Sequence, residues 1–421
     1  MSITEQKSTL LLKSYQQIRA FSEQIIAPLE PEDFVVQSIP DVSPPKWHLA
    51  HTTWFFETFI LIPYHSTYIR FNETFDYLFN SYYETHGKPY PRHARGLLSR
   101  PSVREIIEYR QHVDKSMFNF LDNCHENTLE EIAPILEIGL HHEQQHQELL
   151  VTDIKYNFSI NPLKPIYHDK RNEPGSSLPE MDWITFQEGV VETGYSDEGF
   201  SFDNERPRHK SWLDAYAIAN RPVTNGEYLD FIEDGGYQEP AFWLSEGWTK
   251  IKDDQWEAPL YWENIDGSWY TFTLSGMKKV ELDEPVTHIS FYEADAFARW
   301  SGKRLPTETE WEHAMKNVEI DGNFADNKMF HPDRDYHSCN QMYKVFGDVW
   351  EWTSSPYTLY PGSKPLEGTL GEYNAKFMCN QMVLRGGSCT THSTHVRHSY
   401  RNFFHPDKRW QYSGIRLARD E

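Results

Sequence analysis

Residues 141–150 read HHEQQHQELL, and within them His142, Glu143 and His146 spell H-E-x-x-H. Four residues apart on a helix, His142 and His146 share one face with Cβ atoms roughly 6 Å apart, so both imidazoles can reach a single metal ion. The pair sits in an otherwise apolar helix, where buried polar side chains need partners, and this favours a metal over a solvated polar face. A zinc protease would need a third ligand. Its extended motif requires Gly at 149 and His at 152, where Leu149 and Thr152 stand, and a downstream glutamate meets only Glu173 and Glu180 in a Pro/Gly-rich stretch. A di-iron bundle would use Glu143-x-x-His146 but needs a second copy on another bundle helix, and Glu310 to His313 falls far downstream. A mononuclear site needs one more imidazole, which WHLAH at 47–51 offers as His48 or His51, pointing roughly 60° apart on a helix. Three neutral imidazoles on iron(II) would leave positions open for substrate and dioxygen. Spacing leaves the choice between His48 and His51 open, because either one can instead cap or pack.

These residues need elements to position them. Apolar side chains recur every three to four residues over 8–28, from Lys46 to Tyr64, over 101–123 and over 128–157, which predicts an up-and-down four-helix bundle. Ser43 before Pro44 and Pro45 reads as the N-cap of the second helix, and Pro134 marks a kink or boundary in the last. A long irregular stretch is expected over about 72–100. Composition then turns rich in Pro, Gly and Ser, and a linker is placed at 161–182 between a bundle at 1–160 and a second domain at 183–421. In that domain short aromatic runs alternate with turn residues, and SFYEADAFARWSG and TETEWEHAMK read as two short helices, so the fold class is α+β in two domains.

The chain has 421 residues, with 40 basic against 63 acidic side chains, a net charge of −23, and no basic block. Nucleic acid and anionic membranes are poor partners for such a surface. No window reaches the roughly 18 apolar residues of a membrane span, and the N-terminus lacks a leader pattern, so a cytoplasmic protein is expected. Four scattered cysteines without C-x-x-C spacing argue against a disulfide scaffold or a cysteine-ligated zinc site. The oligomeric state is not legible.

An ordered set of motifs then carries a resemblance: WHLAHTTWFFE, LFNSYYE, PRHARGLLSRPSV and H-x-x-x-H-x-E in the first part. NERPRHKSWLDAYAIANRPVTNGEYLDFI, PVTHISFYEADAFARWSGKRLPTETEWEHA, GDVWEWTSSPY, LRGGS and RHSYRNFF…SGIRLA follow. Together they resemble the ergothioneine-biosynthesis sulfoxide synthases (EgtB-like enzymes). That family joins a DinB-like four-helix bundle to a mixed α/β domain of the formylglycine-generating-enzyme, C-type-lectin-like kind. The resemblance implies an Fe(II) cofactor on His51, His142 and His146. It also implies a dioxygen-dependent reaction joining the sulfur of cysteine to imidazole C2 of Nα-trimethylhistidine (hercynine), giving a sulfoxide. It places Gln145 and Asn402 on hercynine, with Phe403, Phe404, Trp410 and Tyr412 as aromatic faces for the trimethylammonium. Arg92 and Arg95 are placed on the thiol substrate's carboxylate, and Tyr82 and Tyr83 are alternatives for a phenolic proton donor.

One departure bears on the substrate. The γ-glutamylcysteine-using branch has an acidic residue two positions after the asparagine, where this chain has Phe404, and this argues for free cysteine. Selenium donors and the ovothiol-type reaction share enough of the motifs to stay open, as do a zinc hydrolase and a structural metal module. Formylglycine formation is disfavoured, because no second cysteine follows Cys389 in its matched block.

Overall fold

The computed structural model describes residues 3–84, 86–169, 175–196, 199–364, 371 and 374–421; Glu173 and positions 170–174 of the expected linker lie outside them. The chain divides into two compact units, Met1–Leu163 and Lys164–Glu421.

The first unit is built on α1 (Ile3–Ile26), α2 (Pro45–Phe56), α5 (Val103–Asn123) and α6 (Glu126–Ser159). Every side chain of α2 is buried, so this helix forms the centre, packed by α5 and α6 while α1 lies on α6 and α5. From α2 the chain continues through a π turn at Glu57–Leu61 into one closing turn, α3 (Ile62–Tyr64). The wider turn is held by its first residue, because the Glu57 carboxylate accepts hydrogen bonds from the Tyr68 and Tyr109 hydroxyls at 2.5 and 2.6 Å. The stretch expected to be irregular contains a short helix, α4 (Phe75–Phe79), and a 3₁₀ helix at Arg92–Leu97.

Two local expectations need correcting. Pro44, not Ser43, is the residue before α2, with Pro45 at its first position. Pro44 precedes a proline and is therefore held extended, while the Ser43 N–H donates to Asp153 Oδ2 at 2.7 Å. Pro134 neither ends nor divides α6: it is exposed, as is Glu130 four residues back, so the carbonyl that loses its helical partner faces water. By contrast, α5 opens with a capping box in which Ser102 Oγ accepts from the Glu105 N–H and the Glu105 carboxylate accepts from the Ser102 N–H.

The register of α6 against α2 depends on Gly139. A Cβ there would fall 2.6 Å from a ring carbon of Phe56 and 2.7 Å from one of Phe55. The two helices approach over that bare backbone one turn before His142.

In the second unit, the two short helices lie at Phe291–Trp300 and Glu308–Met315, each opened by a capping box. A four-stranded sheet runs Asn402–Phe404, Met382–Arg385, Trp350–Pro356, Ser413–Gly414 in spatial order. Behind it the fully buried Arg416 pairs with Glu351, which also accepts the Trp311 indole N–H. Among the described residues no helix is long and apolar enough to cross a membrane.

Replacing Gly139 with Ala should destabilise the bundle by roughly 1–3 kcal/mol, the usual range for overpacking. The measurement is urea unfolding; an unchanged midpoint would show that the α2–α6 spacing does not rest on this contact.

Candidate metal centre

His51 on α2 and His142 and His146 on α6 converge, each offering one ring nitrogen, with all three nitrogens within 4.8 Å of one another. His51 Nε2 lies 3.1 Å from His142 Nε2. On its outer side His51 Nδ1 donates to the Phe79 carbonyl at 2.6 Å, which leaves Nε2 as a bare lone pair facing the other two rings. Burial pushes all three histidines down: His51 and His146 lie well below the ordinary imidazole value, each lowered further by His142, and His142 falls to about 3. Dry surroundings thus hold the rings neutral, the form that binds a cation. Three imidazoles of this kind suit a first-row divalent metal, and iron, zinc and copper all accept such donors.

The choice that spacing left open between the two histidines of WHLAH is made by α2 itself, which turns His51 into the triad. Both ring nitrogens of His48 are otherwise engaged: Nδ1 faces His146 Nδ1 at 2.9 Å and Nε2 faces Asp153 Oδ2 at 3.0 Å.

Glu143, the glutamate of H-E-x-x-H, is committed elsewhere. Its carboxylate accepts from Arg19 at 2.9 Å, Arg110 at 2.7 Å and Ser22 at 2.6 Å. The two guanidiniums and the Ser22 hydroxyl outweigh the cost of burial and bring its acid constant down to about 2. A carboxylate locked between two arginines is not placed to serve as the base of a hydrolytic metal site.

Above the triad the Trp47 ring stacks on His51, centroids 4.6 Å apart and planes within 13°. The Arg95 guanidinium lies over Trp47, 3.3 Å from a ring centroid. Arg95 is 3% exposed and donates only to the Ser43 and Ser81 hydroxyls, at 2.9 and 3.0 Å, while its Nε–H is buried without an acceptor among the described residues. Burial and the neighbouring Arg92 both lower its acid constant. Arg92 itself is exposed and donates to the Asp41 carbonyl.

Tyr83 is buried against Trp54 and Phe59, and Trp54 stacks on the far side of the His51 neighbourhood at 5.7 Å. Tyr82 is half-buried, its ring 4.6 Å from that of Tyr83 and its hydroxyl 3.5 Å from the other. Gln145 is half-buried on α6 between the two ligand histidines. In the second unit, Asn402 and Phe404 point to one face of their strand and Phe403 to the other. Phe403 stacks on Tyr357 at 4.0 Å, Phe404 meets Trp410 edge-on, and Tyr412 is a core residue whose hydroxyl donates to the Phe330 carbonyl. These contacts distribute the four aromatics over three packing environments, with Phe404 and Trp410 sharing one. Asp153 and Trp47 went unassigned in the sequence, where His48 was weighed only as an alternative ligand to His51. The signal available was the seven-residue spacing of His146 and Asp153, which sets them on one face of α6.

Comparison with known proteins fits this architecture. A family model described as the sulfatase-modifying factor enzyme 1-like domain matches residues 169–346 and 337–421. The chain belongs to that family. A DinB superfamily model matches residues 14–150, so a helical DinB domain precedes the family domain, the pairing of the EgtB-like sulfoxide synthases. The chain is 36% identical over 255 residues to a hercynine oxygenase of Mycolicibacterium smegmatis, covering 53% of this chain and 57% of that protein. It is 29% identical over 259 residues to the ergothioneine biosynthesis protein 1 of Schizosaccharomyces pombe, covering 58% of this chain and 30% of that one. It is 25% identical over 304 residues to the formylglycine-generating enzyme of Bos taurus, covering 60% and 80%. The matches to the first two relatives thus span about half of their length or less.

Truncating Glu143 to Ala takes the shared carboxylate from two buried arginines, leaving Arg19 with Asp114 at 2.7 Å and Arg110 with Glu23 at 3.7 Å, and should cost about 3 kcal/mol, the low end for a broken buried ion pair. Chemical denaturation reads this directly; a loss below about 1 kcal/mol would mean the ion cluster does not hold the bundle.

Proposed function

We propose that the protein is an iron(II)-dependent, dioxygen-using enzyme that joins the sulfur of cysteine to C2 of the hercynine imidazole. The observation that carries this reading is the convergent, neutral triad of the buried His51 and His142 with the half-buried His146, in a chain similar to hercynine oxygenases. The overall change is balanced. The thiol S–H and the imidazole C–H are lost, a C–S bond and an S=O bond form, and one dioxygen, reduced by four electrons, supplies the sulfoxide oxygen and one water. Iron(II) bound by the triad supplies activation of dioxygen and one-electron chemistry.

The chain's own groups divide the remaining work. Arg95 holds the carboxylate of the thiol substrate, since a buried guanidinium with hydroxyl partners alone has charge and donors to spare, and Arg92 assists from the exposed side. Tyr82 or Tyr83 delivers a proton at its phenol oxygen, steering oxidation toward C–S bond formation. By resemblance, Gln145 and Asn402 orient hercynine and Phe403 and Phe404 provide apolar surface. Phe404 standing where an acidic residue would hold the ammonium of a γ-glutamyl group supports cysteine as the donor.

The test is anaerobic loading with iron(II), followed by oxygen uptake and product mass with hercynine and either cysteine or γ-glutamylcysteine. Hercynyl-cysteine sulfoxide is expected from cysteine, and His51→Ala should abolish uptake. Product from γ-glutamylcysteine alone would overturn the donor, and uptake that survives His51→Ala would overturn the triad. Arg95→Leu should raise KM for cysteine roughly ten- to hundredfold, the scale of a lost charge-assisted hydrogen bond of about 1.5–3 kcal/mol, with little change in KM for hercynine. A KM for cysteine that stays put in that variant would free Arg95 from the role.

A further inference from the structure

We infer that Asp153 and His48 form a hydrogen-bond relay that sets the tautomer of His146, and so act as positioning residues for the metal from outside the ligand triad. The inference rests on the reading of His51, His142 and His146 as metal ligands. It concerns which nitrogen of His146 carries its proton, a question that the triad's convergence alone leaves undecided.

The argument runs from the carboxylate inward. Asp153 is 2% exposed, and its Oδ2 accepts from the Ser43 N–H at 2.7 Å, which fixes its orientation. His48 Nε2 lies 3.0 Å from that same oxygen. An oxygen that already takes the Ser43 N–H accepts from the ring as well, so a neutral His48 carries its proton on Nε2 and its Nδ1 is a lone pair. His146 Nδ1 lies 2.9 Å from that lone pair and must be the donor, since two lone pairs at this distance repel. The remaining nitrogen of His146, Nε2, is then the one with a bare lone pair, in a ring whose centroid is 4.7 Å from that of His51. His51 follows the same rule with a simpler partner, its outer Nδ1–H being tied to the Phe79 carbonyl. Both ligands are thus fixed through their outer nitrogens, one by a backbone carbonyl and the other by a two-residue chain ending in a carboxylate.

The geometry of the helices makes the relay possible. His146 and Asp153 are seven residues apart on α6, two turns along one face, and His48 from α2 is inserted between them. His48 is 3% exposed, so water does not compete for either nitrogen.

The experiment uses Asp153→Leu in the full chain, because Asp153→Asn would keep an oxygen on both the Ser43 N–H and His48 Nε2. Leucine removes the acceptor that holds the His48 proton on Nε2. That proton is then free to move to Nδ1 and donate to His146, which forces the His146 proton onto Nε2, the ligating position. Two readouts apply, neither of them turnover. One is the iron(II) dissociation constant, measured anaerobically by competition with a chelator. The other is ¹⁵N–¹H correlation spectroscopy of the metal-free, ¹⁵N-histidine-labelled protein, with His146 assigned through His146→Gln.

We expect His146 protonated at Nδ1 in the wild type, and iron(II) affinity lowered roughly ten- to hundredfold in Asp153→Leu, the range usual for outer partners of metal ligands. A wild-type His146 protonated at Nε2 overturns the relay, and that measurement stands even if the variant does not fold. Affinity of a folded Asp153→Leu within twofold of wild type overturns it as well. A wild type that takes up no iron(II) while showing His146 protonated at Nδ1 upholds the tautomer and overturns the metal reading instead.

Discussion

Everything in the bundle depends on keeping three imidazoles dry. Burial is the largest cause of the downward shift at each of His51, His142 and His146. The same burial that forbids charge on the rings leaves their lone pairs uncontested by solvent or protons. That arrangement requires helices that approach closely and stay in register. Gly139 supplies the close approach, because any side chain there would collide with Phe55 and Phe56. Asp153 ties the far end of α6 to the backbone just before α2.

The register is also fixed from the opposite side. Glu143 follows His142 directly, so holding its carboxylate between Arg19 of α1 and Arg110 of α5 holds the ligand as well. Buried ion pairs are weak contributors to net stability, since desolvation consumes most of the attraction; what they penalise is any arrangement in which one partner is left alone. A one-residue slip of α6 would do that to Glu143 and would leave Arg110 only the longer pair with Glu23, while Arg19 kept Asp114. The H-E-x-x-H string therefore has two jobs facing different ways, histidines toward a metal and glutamate toward the bundle's framework.

Much of this was legible in the sequence for a physical reason. Helical periodicity and the i,i+4 spacing of His142 and His146 are local properties, so the helices and one edge of the site could be read directly. The third ligand could not be, because His48 and His51 differ by a rotation that only tertiary packing resolves; the family resemblance named His51, and the structure places it in the triad. The cap of α2 was misread because two prolines in succession dictate the backbone at Pro44, and the capping box at Ser102 went unread. The boundary reading of Pro134 failed because the cost of proline depends on whether the orphaned carbonyl meets water, and exposure is not written in a local pattern. The role of Glu143 was out of reach for the same reason: its partners are 33 and 124 residues away in the chain.

Charge accounting separates framework from function among the buried arginines. Arg19 and Arg110 share Glu143, Arg385 pairs with Glu312, Arg401 with Glu308 and Arg416 with Glu351. Each of these cations is compensated in place, as a structural charge has to be. Arg95 is as deeply buried, yet its partners are two serine hydroxyls and the face of Trp47, and no carboxylate among the described residues pairs with it. Cation–π attraction and neutral hydrogen bonds repay only part of what it costs to remove a guanidinium from water. Asp153 attracts Arg95 without pairing with it, so the folded protein holds an only partly compensated positive charge one aromatic ring away from His51. An anionic ligand bound there would relieve that deficit, so part of its affinity would come from a cost already incurred in folding.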